Sequence, residues 1–302
     1  MNGHQRWQVL LLGGSGQVGR ALTRMAPHHW AITAPSSREL SLLDPERLER
    51  DVRARAPQLI VNAAAYTRVD DAESDEDVAG LVNRDAPAAL ARAATAAGAR
   101  FVHVSTDYVF DGTAAPYAEL APTAPLNVYG RTKRDGELMV TRHAPHAAIV
   151  RTAWVHSGSG INFVGTATRQ LSRGTSMKVV DDQVGTPTAA DTVAESVIRL
   201  AAQPAIAGIQ HVTDSGVASW YDVACCVADV LREEGRLPMD STVTPVPSEA
   251  FPQPARRPRL SILETHGTRD RLQWVPPHWR LGVVRSTHQW LSRLYTNGSV
   301  NG

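Results

Sequence analysis

A doubly wound α/β fold is predicted, and three observations carry the prediction. A short apolar strand runs into a glycine-rich turn near the start of the chain. Strand-like and helix-like segments then alternate through the first 150 residues. Successive apolar runs end in small or polar residues, as they do where a parallel sheet presents its ligand-binding edge. Val9-Leu10-Leu11-Leu12 is continuously apolar and stops at glycine, the pattern of a strand buried on both faces. Gly13, Gly16 and Gly19 follow at G-x-x-G-x-x-G spacing, and Arg20–Met25 begins a helix. Glycines so placed permit a tight turn and close backbone approach to a pyrophosphate. They also let the helix pack on the strand with its N-terminus facing the negative charge. The arrangement is Rossmann-type, and Gly13, Gly16, Gln17, Val18 and Gly19 are its candidate cofactor contacts.

Trp30–Thr33 is the second predicted strand. An NAD-preferring site carries an acidic residue about twenty residues after the glycine turn. Ser36, Ser37 and Arg38 stand here instead. Two hydroxyls and a guanidinium suit a 2′-phosphate, so the expected cofactor is NADPH, with NADH possible. Asp44 opens an amphipathic helix over Pro45–Arg55. Gln58–Asn62 is a third strand, and Ala63, Ala64, Ala65 and Tyr66 at its end leave room for a ligand. The acidic segment Asp70–Asp77 reads as a solvated loop and helix start, since its spacing matches no calcium loop. Ala86–Ala97 is an alanine-rich helix closed by Gly98. Arg100–Val104 is a fourth strand, with His103 read as a satisfied core histidine, and it runs into Ser105-Thr106-Asp107.

A proline- and alanine-rich loop over 112–125 delivers the chain to Tyr129-x-x-x-Lys133. Asn127 can cap a helix there, which sets the phenol and the ammonium one turn apart on one face. A free tyrosine has a pKa of about 10, and a lysine charge beside it is expected to favour the phenolate. Gly130 and Gly136 weaken that helix by roughly 1 kcal/mol each, which suggests that something, such as a cofactor, comes close to its backbone. Ala148–Thr152 is a fifth strand. Beyond it the alternation loosens into helices over Phe163–Leu171, Thr188–Ala202 and Trp220–Glu233, with strands at Met177–Val180 and Gly208–Val212. A parallel sheet of six or seven strands with a smaller interleaved lobe follows. The expected division is a cofactor-binding domain over 1–152, rejoined by 188–214, and a substrate lobe made of 153–187 and 215–302. Residues 297–302 read as a frayed tail.

Composition narrows the function classes. The 302 residues carry 31 Lys and Arg against 30 Asp and Glu, a net charge of +1, which argues against a nucleic-acid or membrane-surface binder. Cys225 and Cys226 are adjacent, so they form no disulfide framework, and nothing is spaced for zinc. No apolar run approaches a membrane span, and no signal-peptide core is evident at the N-terminus. A cytoplasmic enzyme without a resident metal is the expectation.

The glycine turn, Asn62–Tyr66, Ser105-Thr106-Asp107 and Tyr129-x-x-x-Lys133, in that order, resemble an extended short-chain dehydrogenase/reductase. The segments 61–74, 104–112, 125–130, 150–155, 180–188 and 254–258 are similar, more specifically, to the dTDP-4-dehydrorhamnose reductase family. The resemblance spans nearly the whole chain. It implies reduction of the C4 ketone of dTDP-4-dehydro-β-L-rhamnose to dTDP-β-L-rhamnose. By it, Tyr129 donates the proton, Lys133 lowers the tyrosine pKa and holds the nicotinamide ribose, and Thr106 binds the sugar oxygen. Asp107 and Trp154 match substrate-contacting positions, and Arg256 and Arg257 are candidates for the nucleotide diphosphate. Ala63–Tyr66, Ser105 and, in the adenine pocket, Ser41 and Leu42 complete the implied cofactor contacts. Two departures stand out. Some relatives place a glutamate of an intersubunit metal cluster where Ala21 stands, so Mg²⁺ is not supported, and monomer or homodimer stays open. Many relatives carry Asp where Ser41-Leu42 falls. A 4-ketoreductase for another dTDP-deoxysugar and a non-catalytic NADP-binding regulatory subunit are the alternatives.

Overall fold

The structure, a computed structural model, describes residues 6–296. The predicted tail therefore lies outside the described residues. The chain begins β1 (Trp7–Leu12), α1 (Gln17–Met25), β2 (Trp30–Thr33), α2 (Pro45–Arg55), β3 (Leu59–Asn62), α3 (Glu76–Gly80) and α4 (Ala86–Ala97). It continues β4 (Arg100–Thr106), α5 (Val128–His143), β5 (Ala148–Thr152), β6 (Val155–His156), α6 (Phe163–Ser172), β7 (Met177–Val180), β8 (Val184–Gly185) and β9 (Thr188–Ala189). Last come α7 (Ala190–Ala202), β10 (Gly208–His211), β11 (Ala218–Ser219), α8 (Trp220–Glu233), β12 (Val243–Val246), α9 (His266–Leu272) and α10 (Trp279–Thr296).

Six strands form one sheet in the order β10-β5-β4-β3-β1-β2, every pair parallel. The chain turns one way from β1 to β2 and the other way to β3, so a crevice opens beyond the carboxyl ends of β1 and β3. The two-residue period of β1 builds both faces at once. Val9 and Leu11 pack with Val18 and Leu22 of α1 and Val193, Val197 and Leu200 of α7. Leu10 and Leu12 pack on the other side with Leu48 and Val52 of α2, the alanines of α4 and Val140 of α5. A separate cluster joins α6, α8 and α10 through Val164, Leu171, Val223, Val227, Leu231 and Val283. Among the described residues no helix is long and apolar enough to cross a membrane.

Several boundaries move for local reasons. Helix α1 starts at Gln17 rather than Arg20, because Gly16 already serves as its N-cap. Thr188 and Ala189 pair with Val155 and His156 as a short parallel ladder before α7 begins. The acidic segment is a 3₁₀ turn at Asp71–Glu73 followed by α3, and a π-turn at Leu81–Asp85 runs into α4. That bulge turns Asn83 inward. Its Oδ1 accepts from the Tyr66 amide at 2.8 Å, and its Nδ2 donates to Tyr66 O and to Thr132 Oγ1, both at 3.1 Å.

The glycines of α5 call for a correction. A Cβ on Gly130 would lie 2.1 Å from the Tyr108 carbonyl oxygen, and one on Gly136 would lie 2.0 Å from the Asn83 carbonyl oxygen. The close approach to this helix is made by the protein's own backbone, not by a cofactor.

Candidate active site

Beyond the ends of β1, β3, β4 and β5 lies a cavity of about 670 Å³. Gly13, at φ +80°, makes the turn that opens it. Its absent Cβ would sit 2.7 Å from backbone atoms of Ala63 and Ala64, so the turn presses directly on the end of β3. Gly16 caps α1 without a side-chain hydrogen bond, and the first turn holds no acidic residue. The free amides of that turn, set at the positive end of the helix, fit a pyrophosphate. Gly13, Gly16, Gln17, Val18, Ala63, Ala64, Ala65 and Ser105 all line the cavity.

Apart from Tyr129 and Lys133, the other expected cofactor residues do not line it. Gly19 is buried in the turn itself, where a Cβ would meet Gly13 O at 2.2 Å. Tyr66 turns its hydroxyl to Asp75 at 2.7 Å and its ring into a small cluster with Ala72, Ala79 and Val128. Ser36 binds Glu39 through both its amide and its hydroxyl, and Ser37 and Arg38 are exposed past β2. Ser41 accepts from the Leu43 amide, and Leu42 packs on the core beneath α2.

Helix α5 brings the acid–base pair to the opposite wall. Asn127 caps it, Oδ1 accepting from the Gly130 amide at 2.8 Å, and Glu73 takes the Val128 amide at 2.8 Å. Tyr129 and Lys133 thus face the cavity with Thr106 and Asp107. Burial raises the Tyr129 phenol to about 12; the Thr106 hydroxyl bonded to it works against that rise, and the Asp107 charge adds to it. Lys133 is held down to about 8 by burial, with Glu137 opposing. Its ammonium donates to Val104 O at 2.7 Å and meets His103 Nε2 at 3.5 Å. The expectation that Lys133 pulls the phenol toward neutrality is therefore not met in this geometry. The ammonium is turned to the strand, and desolvation of the phenol dominates. His103 is the buried, partnered residue expected, its Nδ1 at 3.1 Å from Asn62 Nδ2.

Two polar atoms buried at the cavity wall have no partner, Asp107 Oδ2 and Thr152 Oγ1. Orphans of this kind mark a place built for a ligand. Burial lifts the Asp107 carboxyl to about 7, against the pull of the Ser261 and Thr106 hydroxyls. A carboxyl with a raised folded-state pKa is harmless while protonated and costs stability as pH climbs from the ordinary carboxylate range past 7. Asp107→Asn is accordingly expected to raise Tm clearly at pH 8, by the equivalent of a few kcal/mol at about 1.4 per pH unit, and little at pH 4. Equal Tm changes at the two pH values would refute this account.

Trp154 adopts φ +49°, rare for a bulky residue. Its indole lies at the cavity wall, stacked on Trp220 with centroids 3.6 Å apart and planes 5° from parallel. Arg256 and Arg257 line a separate cavity of about 380 Å³ with Gln183, Phe251 and Arg259. Arg256 is exposed there. Arg257 is already committed, to both Asp70 oxygens and to Ala255 O at 2.6 Å. Ser15, Arg20, Thr67, Val104, Thr152, Val155, Gly160 and Ile161 complete the main wall and were not anticipated. Thr152, closing β5 as Thr106 closes β4, could have been found by that parallel; Gly160 and Ile161 carry no such signal.

A family profile described as "RmlD substrate binding domain" matches residues 7–291. This chain belongs to that family, the dTDP-4-dehydrorhamnose reductases. A reductase of this name from Salmonella typhimurium is 38% identical over 301 residues, covering 97% of this chain and 99% of the relative. A "probable dTDP-4,6-dihydroxy-2-methyloxan-3-one 4-ketoreductase" from Streptomyces antibioticus is 41% identical over 267 residues, 85% of this chain and 86% of the relative. The crystal structure of the Bacillus anthracis dTDP-4-dehydrorhamnose reductase in complex with NADP superposes with a TM-score of 0.87 at 30% identity, covering 94% and 99% of the two chains. This family member has no group of three or more His, Cys, Asp or Glu able to hold a metal ion among its described residues. Ala21 instead faces a cleft carrying Arg20, Arg24, Arg285 and Arg293 around Asp191, a charge balance opposed to a cation.

Proposed function

We propose that this chain is an NADPH-dependent reductase of the C4 ketone of dTDP-4-dehydro-β-L-rhamnose, giving dTDP-β-L-rhamnose. The observation that carries the reading is the convergence of Thr106, Tyr129 and Lys133 on one cavity with a glycine-opened helix N-terminus that no side chain caps. NADPH, when bound, supplies the hydride to C4. Tyr129 gives its phenolic proton to the carbonyl oxygen, which Thr106 holds by hydrogen bond. Lys133, anchored on Val104 O, sets a positive charge at the same wall to hold the nicotinamide ribose. Asp107, with its free Oδ2, and Trp154 bind the sugar. Arg256, exposed in the neighbouring cavity, is left to bind the nucleotide diphosphate, since Arg257 is engaged by Asp70.

The same reading assigns cofactor binding to 1–152 with 188–214, and sugar-nucleotide binding to 153–187 and 215–302. A silent regulatory subunit would have no need of all three polar groups on one cavity. The Streptomyces antibioticus relative favours one second reading, a 4-ketoreductase for another dTDP-activated deoxysugar. Sugar stereochemistry is decided by small shifts of pocket shape. The test is NADPH consumption across a panel of dTDP-4-keto-6-deoxysugars, with product configuration assigned. Binding without turnover on every member would refute the reductase.

Arg38 and the two serines stand where a 2′-phosphate is discriminated in this kind of fold. We expect a higher kcat/KM for NADPH than for NADH, and Arg38→Ala to narrow the gap by roughly tenfold, the weight of one lost charge-assisted bond. An unchanged ratio removes Arg38 from cofactor choice.

A further inference from the structure

Behind Lys133 the structure holds a buried ion pair that the reaction as described does not use. Glu137 lies one turn further along α5, on the same face, and both side chains are almost wholly enclosed, at 1% and 3% exposure. Its Oε1 accepts from Ser105 Oγ at 2.5 Å and from Arg151 Nε at 2.9 Å, and its Oε2 accepts from Arg151 Nη2 at 2.7 Å. Ser105 and Arg151 are register partners on β4 and β5, so the carboxylate straddles two neighbouring strands. Ser105 also directly follows Val104, whose carbonyl receives the Lys133 ammonium. Arg151 is fixed in turn by Glu119 O at 3.1 Å, by His211 Nε2 at 3.4 Å and by the Phe110 ring beneath it.

A buried ion pair adds little to stability over apolar residues of the same shape, which makes its place beside an active-site lysine informative. The geometry points to Glu137 as a positioning residue for Lys133. Its carboxylate, locked by Ser105 and Arg151, is the fixed negative charge that keeps the enclosed ammonium protonated, and it pins the strand end that receives that ammonium. This inference rests on the catalytic role given to Lys133 above. The other titratable groups facing the ammonium are His103 on β4, at 3.5 Å, and Asp107 and Tyr129, which line the same cavity; behind Glu137 stand Arg151 on β5 and, against Arg151, His211 on β10. Burial drives the lysine toward its neutral form, and Glu137 is the one neighbour that raises its pKa.

The chain contains only two lysines, Lys133 and the exposed Lys178. Carbon-13 labelling of lysine therefore gives two titration curves, one an internal control. Glu137→Gln removes the carboxylate charge and leaves Arg151 uncompensated, so the Lys133 pKa is expected to fall by about one unit or more. Arg151→Met keeps the carboxylate and removes its counter-charge, so the pKa is expected to rise. The alkaline limb of kcat/KM against pH is expected to move with each. Opposite shifts are something a purely structural loss cannot produce, and Arg151→Met decides the matter even if Glu137→Gln fails to fold. Glu137→Asp is expected to restore part of the shift. A Lys133 curve unmoved in Arg151→Met, or moved in the same direction by both variants, overturns the inference. Because the titration needs no turnover, shifts of opposite sign in an enzyme that reduces no keto-sugar would sink the reductase reading and leave this one standing.

Discussion

Tyr129→Phe is expected to lower kcat by roughly 10²–10⁴, the usual weight of one positioned proton donor. The substitution removes a single oxygen. The ring keeps its edge-on contact with Tyr108, at 5.7 Å between centroids, and its place beside Val128 and Ala72. Helix α5 keeps its Asn127 cap, so cofactor and sugar binding should change little and the loss should fall on kcat rather than KM. Steady-state kinetics at saturating NADPH and keto-sugar check this. Turnover within a few-fold of the parent protein would show that the proton comes from elsewhere, and Asp107, lifted to about 7, is the next group to test.

Gly136→Ala is expected to destabilise the fold by about 2–3 kcal/mol, with Tm down by several degrees. Alanine is ordinarily the better helix residue by up to about 1 kcal/mol, so propensity alone predicts the opposite sign. Packing decides. The new methyl would lie 2.0 Å from the Asn83 carbonyl oxygen, on the π-turn whose side chain ties Tyr66 to Thr132. Separating α5 from that turn also shifts the helix that carries Tyr129 and Lys133, so activity should fall further than stability alone explains. Thermal unfolding of the substituted protein settles it, and an unchanged or higher Tm would show that the contact yields easily.

These two sites also illustrate what could be read in the residues. The unbroken apolar run of β1, the glycine spacing and the Tyr-x-x-x-Lys pair are local patterns, and each maps onto one strand, one turn or one helix face. The fold class and the convergence of Tyr129, Lys133, Thr106, Asp107 and Trp154 on the cavity of the glycine turn were legible for that reason. Contacts between segments distant in sequence were not. Nothing near Gly136 announces a π-turn fifty residues earlier, and nothing near Arg257 announces Asp70. The direction of the Lys133 ammonium was hidden too, since spacing sets which face a side chain occupies but not which acceptor it finds. Serines and arginine after β2 suggested a phosphate by composition, yet their hydrogen bonds here are local ones such as Ser36 to Glu39.

The indole pair at the cavity wall has a mechanical consequence. Trp154 sits in the link between β5 and β6, whereas Trp220 begins α8, and Gly185 is bare so that the first ring can lie flat against the second. One backbone holds a costly left-handed turn that the stacking helps to offset. Any hinge-like parting of α8 from the sheet would have to slide one indole off the other, so the stack ties the position of α8 to the shape of the cavity wall that Trp154 forms.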